Sequence, residues 1–152
     1  MDPTAGGTND ESDNRQLPFV DEHTIGIAAS REAVWAALQR YVATSLQVGG
    51  GGPLATILGT QPTAGFEVSE SRPNERLTLI GRHRFSRYML AFDLADELDG
   101  ITRLSAKTYA AFPGAHGRVY RALVIGTGAH VVATRRIMRS IRRLAVNSTA
   151  RC

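Results

Sequence analysis

Hydrophobic positions are unevenly spread along this chain, and their spacing changes at recognisable points. Residues 1–17 are dominated by small and polar groups such as Gly6, Gly7, Asn9, Asp10, Glu11, Ser12 and Asp13. No apolar period exists there, so burial cannot offset the entropy of ordering, and a disordered acidic tail is expected over 1–17. In 23–29, Ile25 and Ile27 alternate with their neighbours, which predicts a strand. Ser30 then stands as a favoured N-cap before Arg31-Glu32-Ala33. Val34, Leu38, Tyr41 and Val42 recur at helical spacing with Trp35 beside them, predicting a helix from about residue 31 to 47. Gly49 to Gly52 and Pro53 end it. A phosphate-cradling loop would need a Lys-Ser or Lys-Thr pair, or spaced glycines, and neither is present. A flexible connector or pocket lid is the better expectation for this stretch.

Short apolar segments follow at 54–59, 66–71, 77–82, 87–94 and 101–112. Tyr88, Leu90, Phe92 and Leu94 alternate with Arg87, Met89, Ala91 and Asp93. Leu104, Ala106, Thr108, Ala110 and Phe112 alternate with Arg103, Ser105, Lys107, Tyr109 and Ala111. This period of two belongs to half-buried strands. Turn signals at Pro73-Asn74, Arg82-His83-Arg84 and Asp99-Gly100 make the strands antiparallel neighbours. After Pro113-Gly114, the period becomes helical. Val119, Leu123, Gly126, His130, Ile137, Ile141 and Leu144 share one face of a helix expected over about 117–146. Arg121, Arg135, Arg139, Arg142 and Arg143 lie opposite. At 1.5 Å per residue such a helix is about 40 Å long, enough to cross a whole sheet. Gly126 and Gly128 mark either a bend or a place where bulk is forbidden. The folded domain is expected over 18–147, with a short C-terminal tail at 148–152. Its class is α+β, with a curved antiparallel sheet wrapped around the last helix.

Composition narrows the possibilities without choosing among them. The 152 residues are 43% hydrophobic and 21% charged, the balance of one soluble globular domain. No apolar run approaches the roughly 20 residues that span a bilayer, and residues 1–16 hold no apolar signal core, so a cytoplasmic protein is expected. Cys152 is the only cysteine, which excludes an internal disulfide or a cysteine-based zinc site. The net charge is +4, and the positive groups are arginines apart from Lys107. That preference, with abundant Ala and Gly, points to a GC-rich bacterial genome.

Three stretches carry a family resemblance. Ile25-Gly26-Ile27-Ala28-Ala29-Ser30-Arg31-Glu32-Ala33-Val34-Trp35 joins a strand to a helix with Val-Trp. Gly81 to Tyr88, and onward to Thr102-Arg103-Leu104, reads as central hairpins. Phe112-Pro113-Gly114-Ala115-His116-Gly117-Arg118-Val119-Tyr120-Arg121, followed by His130, is the most specific. Over about residues 19–146 the chain resembles the START-like, or SRPBCC, superfamily and its helix-grip fold. The last stretch is similar to the F-P-G-x-x-G-x-x-Y…H signature of an uncharacterised bacterial branch, sometimes fused behind a nucleotide-binding domain. The superfamily includes lipid carriers, hormone receptors, aromatic polyketide cyclases and ring-hydroxylase domains. The resemblance implies an apolar cavity between sheet and C-terminal helix.

The expected function is binding of a small hydrophobic molecule (lipid, polyketide or aromatic) in that cavity. Tyr88, Leu90, Phe92, Leu104, Phe112, Leu123, Gly126 and His130 are the candidate lining. His130 sits on the apolar face, where an imidazole must find a partner or be penalised for burial. It is read either as a core histidine bonded to the sheet or as the group that orients a ligand or moves a proton. Ser86 and Tyr88 share a face and suit a cavity mouth, whereas His83 and His116 read as exposed turn residues. Lys107, Tyr109 and Arg103 are assigned to the outer, solvated face. Four histidines without short spacing make no metal motif, no cofactor is implied, and no G-x-S-x-G elbow is present. Asp93, Asp96, Glu97 and Asp99 cluster at a hairpin and read as solubilising charge. The arginine face reads as solvated rather than as a nucleic-acid or lipid surface, because the opposite face is committed to the core. A non-enzymatic binding protein is favoured. The alternatives are a cyclase or dehydratase acting on aromatic or polyketide-like substrates, with His130 as acid or base, and a protein-interaction module.

Overall fold

The computed structural model describes residues 17–46, 66–83, 86–124, 126 and 128–150. The expected tail, except Leu17, the glycine run and the segment at 54–59 lie outside them. Strand β1 spans Phe19–Ile27, helix α1 spans Arg31–Tyr41, and a wider π-type turn continues it over Val42–Leu46. Four strands follow: β2 (Glu67–Arg72), β3 (Arg76–His83), β4 (Ser86–Asp96) and β5 (Thr102–Ala111). Helices α2 (Gly114–Val124) and α3 (Ala129–Thr149) close the order.

Local chemistry explains these boundaries. Ser30 caps α1 by accepting from the Ala33 amide at 3.3 Å. The Asp99-Gly100 dipeptide turns β4 into β5 with positive φ at both residues, 63° and 71°. The Ile101 amide donates to the Leu98 carbonyl across it, the arrangement of a type I′ hairpin turn. Gly114 opens α2 from a φ of 75°. One turn later Gly117 approaches the Phe112 backbone so closely that a Cβ would meet its carbonyl carbon at 2.6 Å.

The strands form one antiparallel sheet in the order β1-β5-β4-β3-β2. Register places Ile25 opposite Leu104, Leu94 opposite Leu104 on the other side, and Leu90 opposite Leu79. These side chains share the inner face, against which the helices pack. Ile27, Val34, Trp35, Leu38, Leu79, Phe92, Leu104, Met138, Ile141 and Ala145 belong to one buried cluster. The α+β class and the helix-grip arrangement therefore hold.

The expected single helix over 117–146 is corrected. It is two helices, starting earlier at Gly114 and broken between Val124 and Ala129. Gly128, at φ 70°, stands immediately before α3 in a left-handed conformation that ends one helix axis and lets another begin. The break also removes Val119 from the buried face; it is 63% exposed. Helix α3 runs to Thr149, past the expected boundary at 147, and Arg40 reaches from α1 to donate to the Ser148 hydroxyl at 2.8 Å.

Phe92 is fully buried where β4 meets the helices. Phe92→Ala is expected to lower the unfolding free energy by about 3–5 kcal/mol, read from urea denaturation.

Candidate functional site

The inner face of the sheet is divided in character. At one end Ile27, Phe92, Leu94 and Leu104 are buried beneath Met138 and Ile141 of α3 and the α1 stripe. Toward the other end the same alternation delivers polar groups. Strand β1 begins at Phe19, four residues before the alternation predicts, and the extension puts Asp21 and His23 in phase with Ile25 and Ile27. On β5 the corresponding positions are Thr108, opposite Asp21, and Ala106, opposite His23.

Helix α3 enters above this polar end. The His23 Nε2 donates to Asp21 Oδ2 at 3.0 Å, and the His130 Nε2 lies 3.0 Å from the same oxygen. Against an ionised carboxylate, which can only accept, the nitrogen of each ring that faces Oδ2 is the one that donates. The three side chains keep 15–20% of their exposure, enough to shield the contact without sealing it: 20% for Asp21, 17% for His23 and 15% for His130. His130 is thus a histidine bound to the sheet, placed in the first turn of α3 rather than midway along a continuous helix.

One half of the carboxylate is left over. Asp21 Oδ1 and Thr108 Oγ1 are buried with no hydrogen-bond partner among the described residues. They belong to residues directly opposite in register on the same face. A buried polar atom without a partner costs about 1–3 kcal/mol. Two such atoms on adjacent strands are a reason to look for a ligand group that satisfies both.

The remaining candidates fall around this cluster. Leu90 is opposite Thr108 on the next strand, and Tyr88 is opposite Ala110. Tyr88 is half-buried and meets Phe66 edge to face, with ring centroids 4.9 Å apart. Ser86 is buried, and His83 stands opposite it in register. Leu90, Phe92 and Leu104 are part of the packed core. Phe112 is half-buried just past β5, Leu123 lies in α2 with its side chain outside the described residues, and Gly126 is exposed in the connection. A Cβ on Gly126 would come within 2.3 Å of the Ala122 carbonyl oxygen. Sequence reasoning missed Asp21, His23 and Thr108 as site residues. Counting the β1 alternation backward from Ile27 would have found the first two.

The outer face carries a second polar cluster. Asp93 accepts from Arg76 Nε at 2.5 Å and from Lys107 Nζ at 3.0 Å. Glu22, Thr24, Asp93, Ala95, Arg103, Ser105 and Lys107 line an open hollow of about 440 Å³ there. Burial pushes the Asp93 carboxyl up, but the bonds from Arg76 and Lys107 outweigh it and hold the group below the usual carboxylate range. Lys107 and Arg103 are on the outer face as expected, yet Lys107 is engaged in this cluster. The arginines at 135, 136, 139, 142 and 143 are exposed on α3. Among the described residues no group of three His, Cys, Asp or Glu side chains is arranged to hold a metal ion, and no helix is long and apolar enough to cross a membrane.

No family model matches the chain, and no curated protein matches it in sequence. Solved structures do share its fold. The di-domain ARO/CYC StfQ from the steffimycin biosynthetic pathway superposes with a TM-score of 0.55 at 11% identity, covering 92% of this chain and 54% of StfQ. A conserved protein from Geobacillus kaustophilus gives 0.52 at 14% identity, covering 84% and 95%. DynU16, a protein in the dynemicin biosynthetic locus, gives 0.50 at 15% identity, covering 80% and 45%. The chain therefore spans about half of StfQ and somewhat less of DynU16. At such identities the likeness is one of fold.

Because the Asp93 carboxyl titrates lower when folded, its contribution is present above its unfolded value near pH 4 and is lost as pH falls through the folded one. Asp93→Asn is expected to flatten the loss of stability as pH falls from about 5 into the acid range, measured as the shift in urea midpoint.

Proposed function

We propose that the protein binds a small, largely apolar molecule (a lipid, polyketide or aromatic compound) between the inner face of the sheet and the C-terminal helices. Tyr88, Leu90, Phe112, Leu123 and Gly126 surround its body, Phe92 and Leu104 form the packed floor, and His130 engages its polar end. The observation that carries this reading is the His130–Asp21–His23 contact, a polar group on a face otherwise committed to apolar burial. Binding pockets are mostly apolar, and a few convergent polar groups fix the ligand's orientation. The fold shared with a biosynthetic ARO/CYC protein supports the same ligand class.

Native mass spectrometry of the protein purified from its source is expected to show a stoichiometric organic adduct. His130→Phe keeps an aromatic ring at the site but removes its hydrogen bonds, so the affinity for that molecule is expected to fall about tenfold or more. A clean apo mass, with affinity for apolar compounds absent in subsequent titrations, would favour an interaction module instead.

A second reading, an enzyme of the cyclase or dehydratase type on aromatic or polyketide-like substrates, is favoured by one specific feature. The Asp21 carboxylate lies against His130, and a carboxylate so placed orients an imidazole for proton transfer. His130→Gln retains hydrogen bonding but cannot exchange a proton in the same way. On this reading it lowers turnover by about 10²–10⁴-fold while affinity stays within about threefold. A molecule recovered unchanged after incubation with the wild type would remove the enzyme reading and leave the binding one.

A further inference from the structure

We infer that the polar end of the site selects for a neutral hydroxyl group, held between Asp21 Oδ1 and Thr108 Oγ1. This deepens the binding reading above and rests on it. The two atoms are buried, without a hydrogen-bond partner among the described residues, and on residues directly opposite in register. The chemistry of the pair is restrictive. The second oxygen of Asp21 already meets both imidazoles, while Oδ1 retains accepting capacity. Oδ1 can only accept, so the missing group must bring a hydrogen. The threonine hydroxyl can donate, so the same group should also offer a lone pair. One O–H group does both with a single atom.

Other polar ends fit worse. A ketone or an ether has no hydrogen for Asp21. A carboxylate sets a second negative charge beside the first, which is unfavourable in a shielded place. An ammonium group can donate to Asp21 and to Thr108 Oγ1, but it leaves the threonine hydrogen without an acceptor. The ground beside the pair is apolar and partly aromatic: Leu90 is opposite Thr108, and Tyr88 meets Phe66 edge to face. A phenol or enol on a flat apolar body matches both halves.

The test compares two probes of nearly the same shape, 2-naphthol and its methyl ether 2-methoxynaphthalene, titrated calorimetrically into the full chain. Naphthol is expected to bind at least about tenfold more tightly, because the ether leaves Oδ1 unpaired. Thr108→Val preserves branching and strand propensity. It removes a donor that serves the oxygen of either probe, so it is expected to weaken both by about the same factor, roughly threefold or more, and Thr108→Ser, which restores the hydroxyl, to recover both. Equal binding of the two probes to the wild type, or affinities for both that Thr108→Val leaves unchanged, would overturn the hydroxyl subsite and leave the apolar binding reading standing. Failure of both probes to bind at their solubility limits would instead overturn the binding reading, and the subsite with it.

Discussion

Met138, Ile141 and Ala145 of α3 enter the same buried cluster as Trp35 and Leu38 of α1 and Phe92 and Leu104 of the sheet. That three-way contact sets where α3 lies, and with it everything at the polar end. His130 is two turns before Met138 on the same rigid helix, so its reach to Asp21 is fixed by packing more than by its own bond. The contact between two side chains in a partly wet place is modest in free energy. The burial of several large apolar side chains is not. A helix held by its far end therefore presents its first turn to the sheet at a defined height. Interior packing supplies the precision that the exposed polar contact could not.

The inner face shows how one alternation can serve two purposes. Along β1 the same parity runs Asp21, His23, Ile25, Ile27, and along β5 it runs Thr108, Ala106, Leu104, Thr102. Small Ala106 separates the polar pair from the packed block. Thr102 at the far end is buried but satisfied, donating to the Ala29 carbonyl at 2.7 Å. Thr108, the same residue type on the same strand, is half-buried, and its Oγ1 is shielded with no partner among the described residues. The contrast between the two threonines separates a structural hydroxyl from one with capacity to spare.

Much of the fold was legible because its signals are local. Ser30 before a helical stripe, Asp99-Gly100 between alternating strands, and the parity of Tyr88 to Leu94 each translate directly into geometry. The division of the C-terminal helix was only half legible. Gly126 and Gly128 announced a bend, but periodicity alone carried the apolar face through it and wrongly buried Val119. The polar site was least legible because its members are local to nothing. Asp21 precedes the strand expected over 23–29 and carries no assigned role there, and Thr108 is indistinguishable from any strand threonine. Only register across β1 and β5, together with the seat of α3, brings them beside His130. His130 itself was singled out because a polar residue on an apolar stripe requires an explanation even without coordinates.

The strand order has a consequence for how this molecule comes into being. The first strand hydrogen-bonds to the last, while β2, β3, β4 and β5 pair with their sequence neighbours. A growing chain can form those hairpins as they emerge, but β1 must wait for β5, the whole length of the other strands away. Closing so long a loop carries an entropic cost that local pairings escape, and such contacts slow folding. Asp21 and His130 meet only after that closure and after α3 has docked. A chain interrupted before α3 would hold all five strands of the sheet but leave the Asp21 carboxylate without the His130 imidazole. The polar cluster thus depends on the most distant strand pairing in the sheet and on a helix that follows every strand in the chain.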